Sequence, residues 1–178
     1  MLDSANTLKS NISALSPNTN KIVAIDAFVQ VIADFTNQVQ AGSNGTAGIF
    51  TFDNTSMATP LYSQGPVSDN SWMSDFADAW EAGINGGTIT PGTVTDPSWI
   101  GSGNSDTNTA TSVASTIPNI AAAKATLMSG LNNCTATNNP PQPFAEAIRD
   151  ATLALNFVCI GLGAPPILPT IAITFAAQ

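Results

Sequence analysis

From Ala151 to Ala177 the chain reads ATLALNFVCIGLGAPPILPTIAITFAA, without one charged residue. Such a segment is stable across a bilayer, inside a core, or against another protein. Phe144, Ile148, Ala151, Leu155, Val158 and Leu162 step by 4, 3, 4, 3 and 4, which predicts a helix beginning near Pro143. Its first half is amphipathic, because Glu146, Arg149 and Asp150 fall on the other side. Its second half is apolar all round. The unbroken part, Ala151 to Ala164, has 14 residues, whereas a membrane span needs about 20. A longer span would draw Pro165, Pro166 and Pro169 into lipid as irregular backbone, which lipid does not tolerate. The expectation is therefore no membrane span: a helix entering a core, a proline break, and a last strand in ILPTIAITFAAQ. An apolar strand left open is an aggregation edge, so this one is expected to pair inside the domain or with a neighbouring subunit.

Upstream, residues 1–17 read as an N-terminal arm or short helix, with Leu8, Ile12 and Leu15 on one side and Pro17 as its stop. Residues 18–178 read as a single, mainly helical domain. Ile22, Ile25, Val29, Ile32, Phe35 and Val39 form one helical stripe, with Asn20 as N-cap and Gly42 as C′ glycine. GIFTF at 48–52 reads as a short strand, and the residues from there to Ser68 as turns, around Asp53-Asn54, Pro60 and Gly65-Pro66. Trp72, Phe76, Ala79, Trp80 and Gly83 restore helical spacing. Residues 84–116 read as a long polar loop, pinned to something apolar at Trp99 and Ile100. Ile120, Ala123, Leu127 and Leu131 mark a further helix, with Thr116 as its N-cap and Pro118 in its first turn. The fold expected is mainly α: four to five helices in a small bundle, with a few short strands including a C-terminal one.

Charge limits the partners. Lys9, Lys21, Lys124 and Arg149 are the only cations, against 12 carboxylates. The 102 residues between Lys21 and Lys124 contain none. No basic patch can be assembled, which excludes phosphate-driven nucleic-acid binding and attraction to anionic lipid. Charged residues make up 9% of the chain, where about 25% is usual. Serine, threonine and asparagine, 54 in all, replace them. A folded monomer of this mass exposes about 8,000 Å², so short polar and apolar groups must cover most of that surface. Such a surface resists association less than a charged one. It suits a subunit surrounded by other protein, or a secreted module.

The chemistry available is narrow. There is no histidine, and the cysteines are Cys134 and Cys159 alone. The usual zinc sets and the Ser-His-Asp and Cys-His arrangements cannot be completed. The two cysteines read as buried free thiols, or as one disulfide worth about 3 kcal/mol. Asp75, Asp78 and Glu81 recur at helical spacing beside Trp72 and Trp80. They read as a solvated helix face, a cation site or an acid/base pair. The oxygen-rich SGNSDTNTAT at 102–111 lacks the EF-hand order of acids. No phosphate-binding glycine motif and no G-x-S-x-G is present. The start of the chain lacks the cationic and apolar regions of a secretory signal, and four N-x-S/T sequons are what so much Asn, Ser and Thr produces by chance. No cofactor is expected.

The order of elements carries a resemblance. An N-terminal helix and a polar excursion lead to a W…F…W helix ending in glycine and a TITPG turn. An A…A…L…L helix, an F…A…I…A helix and a short apolar strand follow. Over residues 20–178 this resembles small structural proteins of tailed bacteriophage particles, those of capsid, neck or tail. The resemblance implies a non-enzymatic virion subunit made in the host cytoplasm, its copies contacting one another and other particle proteins. It transfers no functional residue. Interface candidates are Trp99 and Ile100 in the long loop, and Ile167, Leu168, Ile171, Ile173 and Phe175 in the last strand. Two other readings stay open. One is a cell-surface or secreted binding module. The other is a carboxylate-based glycosidase working through Asp75, Asp78 or Glu81, which needs two carboxyls about 5–10 Å apart in a cleft.

Overall fold

The computed structural model describes residues 4–38, 48–64, 71–91, 93–95, 109–136, 141–162 and 171–176. The chain is mainly helical with a few short strands. In order, the elements are α1 (Ala5–Ser13), α2 (Lys21–Thr36), β1 (Gly48–Thr51), α3 (Asn54–Ser63), α4 (Ser71–Gly86), β2 (Thr88–Pro91), β3 (Thr93–Thr95), β4 (Thr109–Thr116), α5 (Ile120–Asn132), α6 (Pro141–Leu153), β5 (Asn156–Leu162) and β6 (Ile171–Ala176).

Local chemistry starts the first three helices. The side chain of Ser4 accepts from the Thr7 N–H, and that of Asn20 from Ile22 and Val23. Asp53 caps α3, accepting from the N–H groups of Thr55 and Ser56, and Ser56 Oγ donates to it at 2.6 Å. That hydroxyl is the main reason the Asp53 carboxyl sits below its ordinary pKa. Such caps satisfy N–H groups that the first helical turn leaves without partners.

The helices then bury their apolar faces together. Phe28 of α2, Phe76 of α4 and Phe144 of α6 form an aromatic junction. The ring centroids are 6.0 Å apart for Phe28–Phe76, 6.1 Å for Phe28–Phe144 and 5.1 Å for Phe76–Phe144. These separations are those of favourable tilted pairs. Trp72 joins at 6.3 Å from Phe144. Trp80 is fully buried, and its Nε1 has no hydrogen-bond partner among the described residues, a cost of about 1–3 kcal/mol that burial of the indole offsets. Leu8 places α1 in the same core, against α2 and α6. The buried hydroxyls of Thr36 and Thr152 donate back to the carbonyls of Ile32 and Ile148, four residues earlier.

Two glycines permit close approach. A Cβ on Gly83 would lie 2.1 Å from the Phe52 ring, and one on Gly130 would lie 2.5 Å from the Ala147 Cβ. The first lets Phe52 and Asp53, between β1 and α3, lie against α4, where the Asp53 N–H donates to the Gly83 carbonyl at 3.1 Å. The second brings α5 against α6.

The strands form two sheets. β1 and β2 pair antiparallel, and β3-β4-β5-β6 form a four-stranded antiparallel sheet in that order. The β4–β5 register shifts between Ser112 and Ala114, as at a bulge.

Several expectations are corrected. The turn-rich reading around Asp53-Asn54 and Pro60 gives way to α3, which holds Pro60 inside it and buries Met57 and Ala58. The long loop of 84–116 contains the end of α4 and strands β2, β3 and β4. Thr116 ends β4 and does not cap α5. The helix expected to run through Leu162 stops at Leu153, and Asn156–Leu162 is a strand. Cys134, by contrast, is a buried free thiol, the first of the two readings of the cysteines. The α2 stripe is buried at Val29, Ile32 and Phe35, but Ile22 is 53% exposed. Gly42, Val39 and the oxygen-rich 102–108 lie outside the described residues.

Gly83→Ala separates packing from propensity. Alanine favours a helix over glycine by about 1 kcal/mol, but here the added methyl meets the buried Phe52 ring. The expected net effect is a loss of about 1–3 kcal/mol in urea unfolding. Unchanged or raised stability would contradict the contact.

Candidate functional site

Two of the three acids in the α4 row, Asp78 and Glu81, are drawn together by one cation. Lys124 of α5 donates to Asp78 and, at 2.6 Å, to Glu81. It is the single cation between Lys21 and Arg149, and it ties α4 to α5. The two carboxylates hold the Lys124 ammonium above its ordinary pKa, Asp78 contributing most. Asp78 remains 58% exposed, so this is an ion-bridged, solvated helix face. Among the described residues no group of three or more His, Cys, Asp or Glu side chains could hold a metal ion.

A polar groove of about 520 Å³ runs between α5 and α6. Thr126, Ser129 and Asn133 line one side, Glu146 and Asp150 the other. Each carboxylate already has a local donor. Gln142 Nε2 donates to Glu146 at 2.7 Å, and Arg149 donates to Asp150 from Nε at 2.8 Å and Nη2 at 2.6 Å. The close approach of Gly130 to Ala147 brings the two walls together.

The third candidate is the four-stranded sheet. Not one residue of β3, β4, β5 or β6 is charged. β3 and β4 are rich in threonine, β5 and β6 in apolar residues. The sheet is rooted in the rest of the domain at two points. Phe157 of β5 is fully buried, its ring centroid 5.7 Å from that of Phe50 in β1. Asn119 clasps the turn between α6 and β5. Its Nδ2 donates to the Ala154 carbonyl at 2.6 Å, and its Oδ1 accepts from the Asn156 N–H at 2.8 Å. Taken together these bonds mimic one step of a β-ladder and turn the backbone from helix to strand. Beyond its own strands, the sheet's principal approach is β4 against β2.

β6 pairs with β5 alone among the described strands, so it is an edge. Ile171, Ile173 and Phe175 lie in it, in register with Gly161, Cys159 and Phe157. Trp99, Ile100, Ile167 and Leu168 lie outside the described residues. The structure therefore brings three of the seven interface candidates onto one strand. Edge strands usually carry lysine, proline or a bulge that discourages further pairing. β6 has no charge, no proline and an unbroken register with β5.

Sequence reasoning missed Asn119, whose position looked like a helix start and carried no visible signal for a clasp. It also missed the partner of the acidic row, although the rarity of lysine was itself the signal. Among the described residues no helix is long and apolar enough to cross a membrane. Comparison of the chain with protein-family models, curated proteins and solved structures finds no match.

Two variants probe these anchors. Asn119→Ala leaves the Ala154 carbonyl and the Asn156 N–H, both at a partly buried turn, without their partner. A loss of about 1–3 kcal/mol is expected in chemical denaturation, and a neutral result would remove the clasp from the account. For Lys124 the raised pKa fixes the sign. Its stabilisation is fully present below about 10.5 and is lost as pH rises through the raised folded value. Wild type should therefore lose stability above that pH relative to Lys124→Met. Parallel pH profiles for the two proteins would contradict the ion cluster.

Proposed function

We propose that this chain is a non-enzymatic structural subunit of a tailed-phage particle, in capsid, neck or tail, working through contacts with copies of itself and with other particle proteins. Its site is then the virion, after synthesis in the host cytoplasm. The observation that carries this reading is the uncharged sheet ending in β6, which has one strand neighbour among the described residues and neither charge nor proline. A chain that circulates alone keeps such an edge short or charged, whereas a subunit buries it. The scarcity of charged residues supports the same reading, since it leaves wide uncharged surface on which copies can meet without bringing like charges together. The resemblance in element order to small particle proteins adds to it.

The test is the native mass of the purified protein by light scattering, with electron micrographs of the same fraction. The expected result is a ring, tube or shell fragment of fixed copy number. An 18.2 kDa monomer at every concentration would contradict the proposal and favour a surface or secreted binding module.

A further inference from the structure

We infer that β6 pairs antiparallel with β6 of a second copy, across a two-fold axis at its centre, joining two four-stranded sheets into one of eight strands. The inference rests on the reading of the chain as a self-assembling subunit, and it names the surface and the partner. A strand that pairs with itself must be self-complementary in three respects.

The first is hydrogen bonding. β6 uses its pairing with β5 over all six residues, Ile171 to Ala176, and has no second strand neighbour among the described residues. Its outer edge therefore presents backbone donors and acceptors in strand order.

The second is charge. The protein carries a net charge of −8, so two copies repel unless they meet where charge is absent. No residue of the sheet is charged, and none follows Asp150. Pairing through β6 joins the copies along the sheet. The charged groups of α4, α5 and α6 stay outside the joint.

The third is size. β6 reads Ile-Ala-Ile-Thr-Phe-Ala. Large and small residues alternate, so the large ones share one face of an extended strand. From 171 to 175 the order is large, small, large, small, large, which is the same read in either direction. A two-fold axis perpendicular to the sheet sets residues of the same face opposite one another. With the axis at Ile173, Ile171 meets Phe175 and Ala172 meets Thr174. With the axis at Thr174, Ile173 meets Phe175 and Ala172 meets Ala176. Either register matches large with large and small with small, the arrangement that cross-strand pairs favour. A foreign strand would find no charge here by which to be selected. A second copy needs none.

The experiment compares wild type with Thr174→Lys and Thr174→Val by light scattering over a concentration series, with circular dichroism to confirm that the helices persist. Lysine brings two like charges to the axis. Its association is expected to weaken by about tenfold or more, while valine leaves it unchanged. Thr174→Lys at full wild-type mass would overturn the strand pairing and leave the particle reading intact, since assembly would then use another surface. A wild type that never associates would overturn both. A second measurement stands if the lysine variant fails to fold. Single cysteines at 171 to 176, in a Cys159→Ala background, are oxidised and the disulfide-linked dimer is quantified. Symmetric antiparallel pairing predicts a maximum at 173 or 174, falling away towards 171 and 176. A flat profile, or one highest at the ends, would overturn it.

Discussion

Burial of apolar side chains in one mainly helical core is the constraint on which the rest of the molecule depends, and at its margin Phe76 and the partly buried Phe28, Trp72 and Phe144 gather, so that α2, α4 and α6 meet there without a charged group. With four cations in the chain, ion pairing cannot hold six helices together. Burial has to do it, and α4 is where burial concentrates. That helix buries Met73, Phe76, Trp80 and Ile84 on one side, packs against α3 and α5, and yields at Gly83 to admit Phe52. The ion cluster of Lys124 with Asp78 and Glu81 sits at the margin of this packing and closes α4 onto α5. Partly exposed pairs of this kind contribute at most about 1 kcal/mol each, less than a fully buried ring such as that of Phe50 or Phe157, at roughly 1.5–3 kcal/mol.

From this division of labour follows a division of the surface. The cations with described ion pairs or carbonyl partners are held within the helices: Lys124 on α4, Arg149 on Asp150, and Lys21 on the carbonyls of Tyr62 and Gln64. The sheet has none to hold. It is fastened by a buried ring, Phe157 on Phe50, and by one amide, Asn119, that bonds as a strand would. The molecule thus has charged helices, where solvation is favourable, and an uncharged sheet whose last strand has one strand neighbour among the described residues. Assembly through the second, as proposed, would leave the first in water.

How much of this was legible in the sequence depended on whether one period dominated. The stripes of α2 and α4 were plain, because each sets a single apolar face against a polar one. Their N-terminal ends were less so: Ile22 belongs to the pattern but runs off the core. Helix α3 was hidden by its own cap, since Asp53-Asn54 is also a turn signature, and by Pro60, which a helix tolerates here. The passage from α6 to β5 was ambiguous for a physical reason. Leu155, Val158 and Leu162 satisfy a helical spacing, while Phe157, which that spacing leaves off the stripe, is fully buried once the segment is a strand. A run that is apolar on all sides carries no period to choose by, and Asn119 from another part of the chain made the choice. The threonine-rich stretch from 88 to 116 was read for its polarity and not for its alternation, although threonine favours strands. Of the site, the last strand was visible; its root and its neighbours were not.

The most direct measurement is hydrogen–deuterium exchange by mass spectrometry, on the protein over a concentration series from dilute to concentrated. The account predicts that slowed exchange on association is confined to peptides covering β6, while those covering Asp75 to Glu81 and the first turn of α5 exchange as before. Protection gained on α4 or α5, with none at β6, would contradict the claim that the uncharged sheet is the side through which this chain assembles.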